Sequence, residues 1–185
     1  MDPQRRPSWS PFFIAECAVA AHSRPTLNIK TAMSFSLEVQ TQDRPTDLCG
    51  MWTKALAKRG IVAEFPPKFS METSQGLLVL KVLSAPANLV GIDLAETVAA
   101  YFQVWFDEDG YGFSTASGRT TVDFATQCLC AAALAEDLNA VYFDPQMNES
   151  AQGADAYRLA MSEIEYFISE PGETVHRTFV DWETI

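Results

Sequence analysis

A glycine and an arginine directly precede the start of a long predicted helix. Ser117-Gly118-Arg119 leads into Thr120, which we expect to cap that helix. Backbone N–H groups at a helix N-terminus, together with a guanidinium, can form an anion-binding pocket. The alternative interpretation is that Arg119 pairs with a nearby carboxylate such as Asp123 and only holds the turn.

Two groups of acidic residues are the next candidates for acid–base chemistry or binding. For Asp107-Glu108-Asp109 the simpler interpretation is a solvated hairpin turn, because a calcium loop needs a longer alternation of oxygen ligands. Asp144-Pro145 is typical of a turn that ends a strand, although loops at a sheet edge often carry function. One hypothesis is therefore a concave ligand-binding or catalytic pocket. Its residues would be Arg119, Asp123, Gln127 and Asp144.

The standard motifs of several enzyme classes are absent from the sequence. There is no G-x-S-x-G elbow, no phosphate-binding G-x-x-x-x-G-K-[ST] loop, no H-E-x-x-H and no C-x-x-C. The only histidines are His22 and His176, one near each end of the chain. A catalytic triad or a histidine–metal cluster is hard to assemble from these residues, so we predict a non-enzymatic protein without a cofactor.

The four cysteines do not indicate a disulfide framework or a metal site in a chain of this length. Cys128 and Cys130 are two residues apart on a predicted helix, so they point in nearly opposite directions and cannot share a metal ion. Most of the cysteines lie in apolar surroundings, where a free cysteine usually acts as a small hydrophobic residue.

The first half of the folded part is predicted to contain a strand over 34–40, a helix, and strands over 61–65 and 77–83. Pro45 and Thr46 introduce the helix, with Asp47 in its first turn, and Gly60 ends it. The strand over 77–83 is apolar on both faces, which is typical of a central strand.

The segment from Ala95 to Asp107 fits two periodicities. A helical stripe and a strand-like composition are both present, and we expect a strand in its second half, followed by a hairpin turn and a strand over 111–117. For residues 95–101, the first half of this segment, the sequence does not decide between a helix and a strand.

The second half begins with a capping box, in which Thr120 is the N-cap and Asp123 the third helical residue. The helix over 121–138 is apolar around most of its circumference and should be buried against a sheet. A short strand over 141–143 and an amphipathic helix over 154–169 follow. The buried stripe of that last helix is predicted to be Tyr157, Ala160, Met161, Ile164, Phe167 and Ile168. Residues 175–182 are either a terminal strand or a docking tail.

This order of elements lacks strict alternation of strands and helices. It predicts an α+β fold, a two-layer sandwich in which helices pack on one face of a mixed, mostly antiparallel sheet. The length of 185 residues is that of one domain, which we place at 33–185 with a C-terminal tail.

The first 32 residues allow two interpretations. Either they are a loosely attached, poorly ordered leader, or translation starts at Met33, just before the first clear strand. Arg5 and Arg6 before an apolar stretch have the outline of a secretory signal over 1–21, but Glu16 and several prolines interrupt it. Because of these interruptions we expect a cytoplasmic protein rather than a secreted one. No run has the 18 apolar residues of a membrane span.

Charge is distributed unevenly along the chain, whose formal net charge is −11. Residues 1–60 carry eight Lys and Arg against five Asp and Glu, a net of +3, and the remainder carries five against nineteen, a net of −14. Binding to nucleic acid or to an anionic membrane needs clustered basic residues, so this balance argues against both. An acidic surface either keeps a protein soluble or steers a basic partner. The second possibility predicts an immunity-type or inhibitor-type protein that binds a basic partner such as a toxin.

A set of motifs in the second half resembles a family of small uncharacterised bacterial proteins. The motifs are Gly118-Arg119, Asp123-Phe124-Ala125-x-Gln127-Cys128, Ala131-Ala132-x-Leu134-Ala135 and Ala140-Val141-Tyr142-Phe143-Asp144-Pro145-Gln146. The resemblance covers about 33–169 and includes the alternating first strand and the Trp-bearing helix. It implies one intact bacterial domain and transfers no catalytic residue.

Overall fold

The computed structural model describes residues 34–71, 76–87, 97–169 and 177–184. The predicted leader over 1–32, both histidines and Cys17 therefore lie outside the described residues. Three helices are described, namely α1 (Leu48–Ala57), α2 (Thr121–Asp137) and α3 (Asp155–Ser169). The strands are β1 (Phe35–Gln40), β2 (Val62–Glu64), β3 (Gly76–Ser84), β4 (Val98–Phe106), β5 (Tyr111–Thr115), β6 (Val141–Asp144), β7 (Glu149–Gln152) and β8 (Arg177–Thr178). A 3-10 turn, Trp182–Thr184, follows β8.

The eight strands form one sheet in the order β2-β3-β4-β5-β1-β6-β7, and β8 pairs with β4. All of the described strand pairs are antiparallel. α2 packs against β1, β4, β5 and β6, and also against α1 and α3. The predicted α+β class is confirmed.

The core forms between the inward face of the sheet and the helices. On β1 the residues Phe35, Leu37 and Val39 are buried and point inward, as their alternation predicts. Trp52 of α1 is fully buried against Phe102 and Phe113, and its Nε1 donates a hydrogen bond to the carbonyl oxygen of Cys130, 2.9 Å away. α1 is therefore fixed both to the sheet and to α2.

α2 is the central element of the helical layer. The capping box is confirmed, because Thr120 Oγ1 accepts from the Asp123 N–H and Asp123 Oδ2 accepts from the Thr120 N–H. Every residue from Val122 to Ala135 is buried. The many alanines of this helix allow close approach to the sheet and to both other helices.

Several local predictions need correction. Asp47 is the N-cap of α1 rather than a first-turn residue, since its side chain accepts from the Gly50 N–H. β4 is strand from Val98 onward, so a helix over 98–101 is wrong; residues 95 and 96 lie outside the described residues.

β3 is second from the edge of the sheet rather than central. Its outward residue Val79 is buried because the C-terminal segment covers it, with Trp182 Nε1 donating to the Val79 carbonyl oxygen.

The polar strand β7 was not predicted, because Glu149–Gln152 contains only one apolar residue. Pairing with β6 holds it in the sheet, with Glu149 opposite Asp144. Of the segment over 175–182, predicted as a terminal strand or a docking tail, Arg177–Thr178 forms a two-residue strand and Trp182 docks on β3 through its hydrogen bond to Val79. Residues 175 and 176 lie outside the described residues.

Candidate functional site

Arg119 lies between β5 and α2 and is almost completely buried, with 9% of its surface exposed. Its Nη1 donates to the Ala116 carbonyl oxygen at 3.1 Å. The guanidinium carbon lies between 5.5 and 5.8 Å from the ring centroids of Phe35, Phe124 and Phe167. Burial lowers the pKa of Arg119. A buried cation among three aromatic rings is stabilised by cation–π attraction and by its carbonyl partner.

Asp123, the predicted neighbour of Arg119, has its ion pair with Arg177 of β8. Its Oδ1 accepts from the Tyr101 N–H at 2.8 Å, and its Oδ2 accepts from the Thr120 N–H at 2.7 Å. The second guanidinium nitrogen of Arg177 donates to the Gly118 carbonyl oxygen at 2.9 Å. Asp123 therefore ties α2, β4 and β8 together, and both of its oxygens are occupied.

Gln127 and Asp144 each bury an oxygen without a hydrogen-bond partner among the described residues. Gln127 Nε2 donates to the Phe35 carbonyl oxygen at 3.3 Å, which leaves Oε1 unpartnered. Asp144 Oδ1 accepts from the N–H groups of Gln146 and Met147 at 2.7 and 3.2 Å, and its Oδ2 is unpartnered. Burial raises the pKa of Asp144. The predicted turn after β6 is thus organised by a fully buried carboxyl group.

The start of β1 connects three of the four residues of the hypothetical pocket. Arg119 lies over the Phe35 ring, and Gln127 binds the Phe35 carbonyl group. Asp144 binds the backbone of Gln146, whose Oε1 accepts from the Ser36 N–H at 3.3 Å. Asp123 instead faces β4 and β8. The structure brings Arg119, Gln127 and Asp144 around one strand end and separates Asp123 from them.

A second polar group, on β6, α2 and α3, was missed by the sequence analysis. The Tyr142 hydroxyl donates to Glu163 Oε2, and the Cys128 thiol is within hydrogen-bonding reach of both side chains. Glu163 Oε1 is buried and accepts no hydrogen bond from the described residues. Burial raises the pKa of Glu163 to about 8, and the nearby Asp144 also raises it. The sequence contains a signal for this group. Glu163 is three residues after Ala160 and four before Phe167, so it lies on the same helix face as the predicted apolar stripe.

Asp107, Glu108 and Asp109 form an exposed turn between β4 and β5. Asp107 Oδ1 accepts from the Asp109 N–H at 3.0 Å, and the Asp107 N–H donates to the Gly110 carbonyl oxygen at 2.9 Å. This is the predicted hairpin turn, and it leaves the three carboxylates in solvent.

Seven exposed carboxylates lie at one end of the sandwich, which we call the acidic end. They are Asp43, Asp47, Asp107, Glu108, Asp109, Glu136 and Asp137. Gln42 Nε2 donates to the Glu108 carbonyl oxygen and joins the hairpin to the loop after β1. Gln40 at the end of β1 is opposite Val141 at the start of β6, so the last residues of α2 lie at this end as well.

The acidic end contains a groove of about 620 Å³ between α1 and the end of α2. Asp47, Glu136 and Asp137 line it together with Lys54 and Lys58. None of the three salt bridges in the described ranges uses a carboxylate of the acidic end. The acidic end thus carries both signs of charge, with carboxylates in excess.

The described cysteines are free and poorly placed for chemistry. Cys128 and Cys130 are fully buried, and burial raises the pKa of both thiols. Burial and Asp47 raise the pKa of Cys49 to about 11. Within the described ranges, no three His, Cys, Asp or Glu side chains are arranged to hold a metal ion. No described helix is long and apolar enough to cross a membrane.

Comparisons with known proteins give no relative from which a role can be transferred: no family model, no curated protein and no solved structure matches the chain. The resemblance to an uncharacterised bacterial family therefore stays a prediction.

Proposed function

We propose that this protein is a non-enzymatic interaction protein of the immunity or inhibitor type, which binds a basic protein partner through the acidic end. The observation that carries the proposal is the exposure of seven carboxylates from three separate segments at one end of the sandwich. They approach each other only in the folded chain.

Electrostatics gives such an arrangement a role in binding. Clustered charges of one sign accelerate encounter with a partner of opposite charge and discriminate against partners of like charge. The groove between α1 and α2 offers the carboxylates of Asp47, Glu136 and Asp137 to a lysine or arginine side chain of the partner. Lys54 and Lys58 in the same groove would fix the orientation of the partner by excluding its cations from part of the groove.

The cellular setting is part of the same proposal. We place the protein in the bacterial family that its motifs resemble, and in the cytoplasm. An inhibitor of a basic toxin made by the same cell needs to be present where the toxin is synthesised, and the absence of the usual catalytic motifs is consistent with inhibition by binding alone.

Affinity purification from the cells that encode the protein, with mass spectrometry of the bound proteins, tests the proposal. The acidic-end variant is Asp107→Asn, Glu108→Gln and Asp109→Asn. The matched control removes the same number of exposed carboxylates elsewhere, by Glu149→Gln, Glu165→Gln and Glu183→Gln.

The expected result is one basic protein that is retained by the wild type and the control, lost from the acidic-end variant, and released as the NaCl concentration rises. Enrichment of the same proteins by all three baits, or of no basic protein by the wild type, would overturn the proposal.

A second candidate function is supported by the unpartnered oxygens of Gln127 and Asp144. A buried acceptor without a donor costs about 1–3 kcal/mol, so a ligand that supplies N–H or O–H donors would be stabilised there. This candidate is a small ligand-binding domain or enzyme with a site around Arg119 and Asp144.

A thermal-shift screen of small amines, amides and polyols distinguishes this second candidate from the first. A ligand that stabilises the wild type, but not Gln127→Leu or Asp144→Leu, would support it. Equal shifts in the wild type and in both variants, or no shift with any compound, would remove it.

A further inference from the structure

Glu163 is an unusual residue for the buried side of a helix. It lies on α3 facing α2 and β6, where its neighbours one turn away on the same face, Ala160 and Phe167, are buried. The Tyr142 hydroxyl provides one hydrogen bond to Oε2, and Oε1 has no partner among the described residues. The Tyr142 hydroxyl and the nearby Cys128 thiol are too few donors to compensate a charged carboxylate for its burial.

Among the residues that the structure describes, the groups that face Glu163 do not supply a positive charge to compensate for it. The Tyr142 hydroxyl of β6 donates to it and the Cys128 thiol of α2 lies near it, while Asp144 of β6 acts on it through its negative charge. Glu149 of β7 adds a further negative charge nearby. Arg119 lies over the Phe167 ring, one turn further along α3.

We propose that α3 is a proton-linked helix: it packs against α2 and β7 with an uncharged Glu163, which the Tyr142 hydroxyl of β6 contacts, and its opening releases the Glu163 proton to water. The packing of α3 therefore weakens as the solution changes from acidic to mildly alkaline. This proposal is independent of any partner of the acidic end.

The direction follows from the two pKa values. When α3 is detached, Glu163 is in water and has its ordinary pKa of 4.5; when α3 is packed, its pKa is about 8. A group whose pKa is raised by folding contributes fully below its unfolded pKa, and this contribution is lost as the pH rises through the folded pKa. Opening of α3 should thus become easier between about pH 5 and pH 8 and should level off above that range.

Hydrogen–deuterium exchange of the α3 amides, corrected for intrinsic exchange rates, measures this opening. In the wild type we expect protection to fall by up to about tenfold per pH unit across the window, the limit for release of one proton. Glu163→Gln should remove this dependence, because the amide does not titrate. Glu165→Gln, an exposed neighbour on the same helix, should keep it.

Tyr142→Phe provides a readout that a purely structural role would not change. The Tyr142 hydrogen bond favours the charged form of Glu163, so its removal should raise the pKa of Glu163 and shift the levelling-off point to higher pH. A direct titration of the Glu163 carboxyl carbon by NMR should give a midpoint near 8 in the wild type.

A Glu163 midpoint below about 6 would overturn the proposal. So would α3 protection that does not vary with pH, or that varies equally in the wild type and Glu163→Gln. If Glu163→Gln does not fold, the NMR midpoint and the direction of the Tyr142→Phe shift decide the question.

Discussion

The Tyr142 hydroxyl donates a hydrogen bond to Glu163 Oε2, which connects the inward face of β6 to the buried face of α3. Tyr142 is fully buried, and burial raises its pKa well above the ordinary value, so it acts here as a hydrogen-bond donor. Cys128 of α2 is within reach of the same two side chains. Tyr142, Glu163 and Cys128 thus form one polar cluster that connects β6, α3 and α2.

Replacing Tyr142 by phenylalanine should destabilise the protein by about 1 kcal/mol at pH 6, the usual net value of a buried hydrogen bond. Urea unfolding measures the change. The exposed-residue variant Glu165→Gln should stay within about 0.5 kcal/mol of the wild type. Equal stability of Tyr142→Phe and the wild type would mean that the hydrogen bond makes no net contribution.

Asp123 should be the most sensitive of the residues that the sequence analysis placed in a site. Asp123→Ala removes acceptors from the Tyr101 and Thr120 N–H groups and leaves Arg177 without its ion-pair partner. We expect a loss of about 3 kcal/mol, against about 1 kcal/mol for Thr120→Ala, which removes only the other half of the capping box. Urea unfolding of both variants checks the order; a larger loss for Thr120→Ala would contradict it.

Gly112 and Gly118 differ in the space available for a side chain, so the same substitution at both positions gives a controlled comparison. A Cβ on Gly112 would overlap the indole ring of Trp105, whereas a Cβ on Gly118 meets no atom within 4 Å. Gly112→Ala should therefore cost about 2 kcal/mol through overpacking, and Gly118→Ala less than about 0.5 kcal/mol. Thermal unfolding of the two variants measures the difference, and similar melting temperatures would argue against the packing of Trp105 on β5.

Asp144 should make stability depend on pH in a defined direction. Burial raises its pKa above the ordinary 3.8, so its contribution is present below that value and is lost as the pH rises through the raised folded pKa. Asp144→Asn keeps an oxygen for the Gln146 and Met147 N–H groups but does not titrate.

The stability of Asp144→Asn relative to the wild type should therefore increase as the pH rises from about 4, by at most about 1.4 kcal/mol per pH unit. Urea unfolding at a series of pH values measures this. A relative stability that falls with rising pH would indicate an ionised Asp144 with stabilising partners.

The sequence predicts an element correctly where its capping residues and its apolar pattern indicate the same secondary structure. α2 has a capping box and an apolar surface around most of its circumference, and both indicate a buried helix. β4 was ambiguous because Val98, Tyr101, Phe102 and Trp105 fit a helical stripe and a strand equally well. Pairing with β3 on one side and β5 on the other selects the strand, and these are contacts between distant residues that a local pattern does not contain.

Residue roles were harder to predict than elements. Asp123 was placed in a site, yet its partner Arg177 is 54 residues away on a strand that pairs with β4. Glu163 was passed over, although a carboxyl group within an apolar stripe is itself a local signal. Its pKa is raised mainly by burial and further by Asp144, while the Tyr142 hydrogen bond lowers it, and only the fold creates these surroundings.

The affinity of the purified basic partner for the protein, measured at several NaCl concentrations, tests the proposed function most directly. For the wild type and for the Glu149, Glu165 and Glu183 control, we expect Kd to rise steadily with salt, because exposed charges are screened. The Asp107, Glu108 and Asp109 variant should bind at least about tenfold more weakly at low salt, a loss of about 1.4 kcal/mol. Equal affinity of this variant and the control, or a Kd that does not change with salt, would contradict binding through the acidic end.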